Sequence, residues 1–180
     1  NDQRGTVKHK IYRVVSGATY RVVRVLGTVL VRFMWRPEII GAENFPKTGG
    51  VLVAPTHRSY VDSLMAALIT RRRVYALGKA ELFEGRMGWF HRLLGAHPVK
   101  RGEADRGAMR KVGEWLADGQ CVLVFPEGTR KEGRNIEELK DGVGYLAAKY
   151  GAAIVPAGFA GTEEAMPRNQ KLKKGKIVAV

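Results

Sequence analysis

A chain of 180 residues with 45% hydrophobic content and 22 glycines suits one domain with a real core, in the ordinary range for an α/β protein. Its 31 Lys+Arg against 17 Asp+Glu leave a formal charge of +14, which implies an anionic partner: nucleic acid, a membrane surface or a phosphorylated substrate. The single cysteine, Cys121, excludes an internal disulfide and fits a reducing compartment, and no stretch has the roughly 18 uncharged apolar residues of a transmembrane span or the apolar core of a secretory signal.

From Val7 to Trp35 apolar residues recur at spacings of three and four, which predicts a helix. Arg13, Arg21, Arg24 and Arg32 supply cations, and no acid occurs between Asp2 and Glu38. Two readings fit this basic amphipathic segment: a helix lying in a membrane interface, or a helix packed on its own domain with its arginines exposed. Gly17 and Gly27 predict a split into two shorter helices. We place a boundary after residue 36, with an amphipathic, membrane-associating segment at 1–36 and an α/β domain at 37–180.

Pro37, Pro46 and Gly49-Gly50 mark an irregular connection around a short strand at Glu38–Ile40. Val51 to Pro55 reads as a strand, His57 to Asp62 as a tight loop, and Ser63 to Ile69 as a helix. A strand at Val74–Leu77 follows the triplet Arg71-Arg72-Arg73, then a helix at Met87–Leu94 and a proline-marked strand or loop at His97–Arg101. A helix at Glu103–Leu116, a strand at Cys121–Phe125 and a helix at Glu137–Lys149 come next. Ala153–Phe159 reads as a strand whose Pro156 favours an edge or a bulge. Residues 168–176 form a basic segment expected to be mobile. The chain begins at Asn1 and ends in the strand-like Ile177–Val180, which predicts a piece of a longer protein. Alternating strands and helices imply an α/β fold: a mixed, largely parallel sheet covered by helices, behind the N-terminal helical segment. Sites in such sheets gather at strand ends, where the His57 and Glu127 loops both lie.

The sequence His57-Arg58-Ser59-Tyr60-Val61-Asp62 places a histidine and a carboxylate at a strand-to-helix junction. Ser59 with Asp62 three residues on fits a helix N-cap with an acid in the first turn. That turn can fold Asp62 back on one imidazole nitrogen, leaving the other to take a proton. The competing reading is a helix-end charge beside a satisfied loop histidine. A metal site is disfavoured, because no third ligand follows at the usual spacing. In Phe125-Pro126-Glu127-Gly128-Thr129-Arg130, Gly128 permits close backbone approach, Thr129 offers a hydroxyl and Arg130 a forked cation for phosphate. Glu127 suits either a pair with Arg130 or acceptance from a substrate hydroxyl. Cys121 lies in an apolar run and reads as an inert buried thiol. The basic segment lacks interleaved aromatics, so nucleic acid is not expected.

Taken in order, His57-x4-Asp62, Gly95–Arg101, Phe125–Arg130 and Ile154-Val155-Pro156 form a pattern that resembles the lysophospholipid acyltransferase family, whose best known members are 1-acylglycerol-3-phosphate acyltransferases. The resemblance covers about Pro37 to Pro167. Pro98 departs from it, standing where the family usually has an aromatic, although Arg101 matches. What the resemblance implies is transfer of a fatty acyl group from a thioester, acyl-CoA or acyl carrier protein, to a hydroxyl of a lysophospholipid acceptor. It implies His57 as general base, Asp62 as its orienting partner, and neither a protein nucleophile, a cofactor nor a metal. It assigns acceptor phosphate and glycerol to Arg101, Glu127, Gly128, Thr129 and Arg130, with Lys140 similar to a lysine often found after the third motif. Peripheral or monotopic attachment to an anionic membrane, at its cytoplasmic face, is the expected location. The alternatives are another lysolipid or glycolipid acceptor, or a non-catalytic basic membrane-binding module.

Overall fold

A computed structural model describes residues 2–86, 88–99, 106–133, 135–167 and 171–180, with side chains from Gly17 onward except that of Leu93. The chain opens with one long helix, α1 (Asp2–Trp35), then β1 (Glu38–Ile39), β2 (Val51–Pro55), α2 (Val61–Leu68), β3 (Val74–Lys79), α3 (Gly88–Leu93) and β4 (Ala96–Val99). It continues through α4 (Arg106–Ala117), β5 (Cys121–Leu123), α5 (Gly142–Tyr150), β6 (Ala153–Ala157), β7 (Phe159–Ala160), α6 (Thr162–Ala165) and β8 (Val178–Ala179). Five strands in the order β4-β3-β5-β2-β6 form an all-parallel sheet. A separate three-stranded sheet, β1-β8-β7, holds the one antiparallel pairing among the described strands. Two of the three strands that contain proline, β4 with Pro98 and β6 with Pro156, are the two edges of the parallel sheet, where a missing N–H costs no ladder bond, and in the interior strand β2 Pro55 is the last residue.

Both faces of the central strands are buried, as parallel pairing requires. Val51 and Val53 with Cys121 and Leu123 face a core shared with Met65 and Val61 of α2, Ala165 of α6, and Val31 and Trp35 of α1. The alternate residues Leu52 and Val122 face the other way, onto Val112 and Leu116 of α4 and Val143 and Leu146 of α5. The period of two along each strand thus divides the core into two layers.

α1 runs unbroken through Gly17 and Gly27, against the expected split. A helical glycine costs only about 1 kcal/mol, and the packing of the helix's second half outweighs it. The helix stops at Trp35 because Arg36 takes a left-handed φ of 41° and Pro37 follows. One face is tied to the domain. Tyr20 Oη accepts from Val74 N–H at 3.1 Å, the Arg24 guanidinium donates to the carbonyls of Thr70 and Arg72, and Trp35 Nε1 donates to Lys173 O at 2.7 Å. The opposite face is apolar and bare: Val22, Val25, Leu26, Val29, Leu30 and Phe33 are 58–71% exposed.

The other departures are local. α5 begins at Gly142 rather than near Glu137, because Lys140 N–H is held on Pro126 O at 2.9 Å and keeps the approach non-helical. The Ala153–Phe159 run divides at Gly158 into β6 and β7, which belong to different sheets. Residues 171–176, expected to be mobile, have no regular structure but are anchored by Trp35 on Lys173 O, by Lys173 N–H on Ala165 O at 2.8 Å, and by Lys176 on Glu38 at 2.9 Å. Met87, Lys100, residues 101–105 and 168–170, on which parts of other expectations fall, lie outside the described residues.

The two faces of α1 should therefore answer differently to truncation. Trp35→Ala is expected to cost about 3–5 kcal/mol in urea unfolding, whereas Phe33→Ala stays within about 0.5 kcal/mol. Equal losses would contradict the division of the helix.

Candidate active site

β2 and β5 are adjacent and parallel at the centre of the sheet, so the chain leaves both at one end. Pro55 closes β2 and His57 follows two residues later. Past β5, Val124 N–H adds a last bond to Val53 O at 2.9 Å before Pro126 turns the chain. The two loops that carry the His57 and Glu127 motifs thus emerge side by side.

Asp62, fully buried in the first turn of α2, organises the first loop. Its Oδ2 accepts from Arg58 N–H at 2.6 Å, Ser59 N–H at 2.7 Å and His57 Nδ1 at 3.0 Å. Ser59 Oγ accepts from Val61 N–H at 3.3 Å and donates to Met166 O at 3.1 Å. The reciprocal pattern is that of a capping box, hydroxyl to the helix start and acid to the loop N–H groups. A carboxylate acceptor at Nδ1 places the imidazole hydrogen there and leaves the Nε2 lone pair free. Among the described residues nothing bonds Nε2. Phe125 stacks on the ring with centroids 3.7 Å apart and planes 15° apart, which fixes its plane. A ring held by its tautomer and its plane can act as a proton acceptor at Nε2.

Glu127 does not pair with Arg130. It is 3% exposed and pairs with Arg58, whose Nη1 lies 2.9 Å from Oε1 and 2.7 Å from Oε2. Oε2 also accepts from His57 N–H at 3.0 Å. Burial opposes ionisation of this carboxyl, but the Arg58 guanidinium and the His57 N–H outweigh it and hold the group below its ordinary value of 4.5. Gly128 takes φ +71°, and a Cβ there would meet Lys140 Cε at 2.9 Å, so the lysine side chain lies over the turn. Thr129 is exposed. Arg130 rests on Tyr60, its guanidinium carbon 3.8 Å from the ring centroid and Nη2 3.1 Å from the hydroxyl.

The structure therefore brings His57, Asp62, Glu127, Gly128, Thr129, Arg130 and Lys140 together, while Arg101 lies outside the described residues. Burial pushes the Cys121 thiol up to about 11, so it is no nucleophile near neutral pH. Arg58, Tyr60 and Phe125 were not singled out in the sequence. The available signal was a charge on each of two loops that follow wholly apolar strands, Arg58 on one and Glu127 on the other.

The family model described as Acyltransferase matches residues 36–160, which contain every one of these groups. The chain belongs to the acyltransferase family. Acyltransferases are also its relatives by direct comparison. It is 28% identical over 151 residues to "1-acyl-sn-glycerol-3-phosphate acyltransferase LPAT1, chloroplastic" of Arabidopsis thaliana, covering 81% of this chain and 42% of that one. It is 29% identical over 142 residues to the 1-acyl-sn-glycerol-3-phosphate acyltransferase of Bacillus subtilis, covering 78% and 69%. The crystal structure of the 1-acyl-sn-glycerophosphate (LPA) acyltransferase PlsC from Thermotoga maritima superposes with a TM-score of 0.71 at 25% identity, covering 96% of this chain and 69% of that one. The chain thus spans less than half of the plant relative and about two thirds of the bacterial ones.

The buried Glu127–Arg58 pair makes stability depend on pH in a defined direction. A carboxyl whose folded value is lowered contributes fully above its unfolded value of 4.5 and loses that contribution as pH falls through the folded value. Glu127→Gln should cost about 3–5 kcal/mol at neutral pH, the range for breaking a buried pair. The gap to wild type should close on acidification below pH 4.5. A gap constant from neutral to acid pH in denaturant unfolding would show that the pair contributes nothing.

Proposed function

We propose that this acyltransferase transfers a fatty acyl group from an acyl thioester, acyl-CoA or acyl carrier protein, to the free hydroxyl of 1-acylglycerol 3-phosphate, giving phosphatidic acid. The observation that carries this reading is the 3.0 Å His57 Nδ1–Asp62 Oδ2 contact, with Nε2 unpartnered at the strand end that also bears Arg130 and Lys140. Nε2 takes the proton as the acceptor oxygen attacks the thioester carbonyl. Asp62 stabilises the imidazolium that forms. The carbonyl re-forms as the carbon–sulfur bond breaks, and the imidazolium returns its proton to the departing thiolate. The products are an ester and a free thiol, with no covalent enzyme intermediate. Arg130 and Lys140, whose side chain lies over the Gly128 turn, supply the cations for the acceptor phosphate. The substrate names carried by the relatives support this choice of acceptor.

The reading is tested by mass spectrometry of products from one acyl-CoA offered with a panel of lysolipids. Phosphatidic acid should dominate, and a different lysophospholipid or glycolipid product would move the acceptor while keeping the chemistry. Folded His57→Ala should show no turnover, and Asp62→Asn should lose about 10²–10⁴-fold in kcat. Arg130→Lys should raise KM for the acceptor more than KM for the donor, because lysine keeps the charge without the fork. Activity in His57→Ala would sink the mechanism.

The same reading includes peripheral attachment to an anionic membrane, at its cytoplasmic face. Among the described residues no helix is long and apolar enough to cross a membrane. The bare stripe of α1 suits the acyl boundary instead, with exposed Arg21 and Arg32 beside it and Lys174 4.9 Å over the Phe33 ring. Each cation near an anionic surface adds about 1 kcal/mol, and salt screens that part alone. Leu26→Gln with Phe33→Gln should weaken sedimentation with anionic vesicles while leaving turnover of detergent-dispersed substrate intact. Undiminished vesicle binding would place the membrane contact elsewhere.

A further inference from the structure

Arg58 makes more directed contacts than any other side chain around the site, and nothing in the proposed reaction uses it. All three guanidinium nitrogens are engaged. Nη1 bonds both oxygens of Glu127 and, at 3.1 Å, His57 O; Nε donates to Gly133 O at 2.9 Å; Nη2 donates to Asn135 O at 2.7 Å. From the far side Lys131 N–H donates to His57 O at 2.8 Å. Glu127 is equally committed: Arg58 and His57 N–H occupy it, and it is 3% exposed. A carboxylate so enclosed cannot accept from a substrate hydroxyl.

The backbone of His57 is therefore held on both sides. Its N–H rests on Glu127 and its carbonyl receives Arg58 and Lys131. Glu127 and Lys131 belong to the segment that carries Thr129 and Arg130, on which acceptor binding is proposed, and Arg58 ties the His57 loop to that segment. We infer that Arg58 and Glu127 form a positioning pair that sets the height of the His57 imidazole against the acceptor turn, and that Glu127 acts here rather than as a substrate ligand. This rests on His57 as the base. Removing Arg58 would do two things. The loop would lose its anchor to Gly133 and Asn135, and a misplacement of about 1 Å between base and hydroxyl costs on the order of 10²-fold in rate. The Glu127 charge would also stand unopposed beside His57. Of the neighbouring charges, Asp62 is unchanged at Nδ1, and Lys131, on the segment after Glu127, has its ammonium paired with Glu137. An unopposed carboxylate favours the imidazolium, so the base would stay protonated to higher pH.

The test measures kcat and both KM values across pH on the full-length protein, with one acyl-CoA and detergent-dispersed 1-acylglycerol 3-phosphate. Near-UV circular dichroism gives the folded fraction. Arg58→Met should lower kcat about 10²-fold with both KM values near wild type. The acidic limb of its kcat profile should move to higher pH. Arg58→Met with Glu127→Gln removes both charges, so the limb should return while kcat stays low; this neutral pair also guards against a single variant that fails to fold. Arg58→Lys should show the same limb as wild type with an intermediate kcat. Unchanged kcat in folded Arg58→Met, a limb that stays in place, or a rise confined to the acceptor KM each overturn the pair's role. Activity in His57→Ala, run alongside, would instead overturn the base itself.

Discussion

The parallel pairing of β2 with β5 is the constraint on which the site depends. Val51, Leu52 and Val53 lie opposite Cys121, Val122 and Leu123, strands about seventy residues apart in the chain, and both are buried on both faces. Parallel strands share an exit end, so each loop leaving that end faces the other. A one-residue slip would invert every side chain between the two core layers, setting Leu52 against the α2 side and Val53 against α4 and α5. The register is therefore set by burial, and the relative height of His57 and Glu127 is inherited from it. The loops add only the last few ångströms of placement.

Those last ångströms are set by buried charge. Asp62, Arg58 and Glu127 lie where an unpaired ion would cost several kcal/mol. Each instead has donors or acceptors from the loops: three on Asp62 Oδ2, its Oδ1 being left without a partner among the described residues, and the Arg58 fork on Glu127 and on three carbonyls. Burial sharpens the geometry, because a buried ion that leaves its partners has no water to replace them. Arg130, Thr129 and Lys140, by contrast, sit at the open rim and keep the freedom to meet a ligand. The division follows solvent: groups shielded from it hold His57, and groups reached by it remain open to a ligand.

What the sequence made legible followed from periodicity and local spacing. The alternation of strands and helices, the proline-marked edge at Pro156, the three-residue step from Ser59 to Asp62 and the return of Asp62 onto His57 are all short-range. They survive because a turn of helix or a strand pleat is determined within a few residues. The Glu127–Arg58 pair was not legible, since Arg130 lies three residues from Glu127 and Arg58 sixty-nine away. Only the strand pairing brings Arg58 closer. Phe125 on His57 is hidden for the same reason. The split at Gly17 and Gly27 failed because a local propensity of about 1 kcal/mol was set against a helix whose far end is buried at Val31 and Trp35. The start of α5 was misplaced because Lys140 N–H answers to Pro126, a contact that no helical period reports.

The net charge of +14 carries a similar lesson. It suggests a uniformly basic surface, but several arginines serve the fold. Arg72 donates to the carbonyls of Pro46, Thr48, Gly49 and Gly119, Arg24 to those of Thr70 and Arg72, and Arg58 to those of His57, Gly133 and Asn135. An arginine so used satisfies loop carbonyls that no strand or helix reaches, and its fork is no longer available to a ligand. Its charge nevertheless remains and contributes to the field of the molecule. An arginine held in this way thus adds to the long-range field, whereas the cations left at the surface are the ones free to touch an anionic ligand. Among these, Arg21, Arg32, Lys171 and Lys174 are exposed, with Lys174 set directly against Phe33 of the bare α1 stripe. One helix therefore has two roles: its buried face closes the core beneath the parallel sheet, and its open face presents apolar area beside the remaining charge.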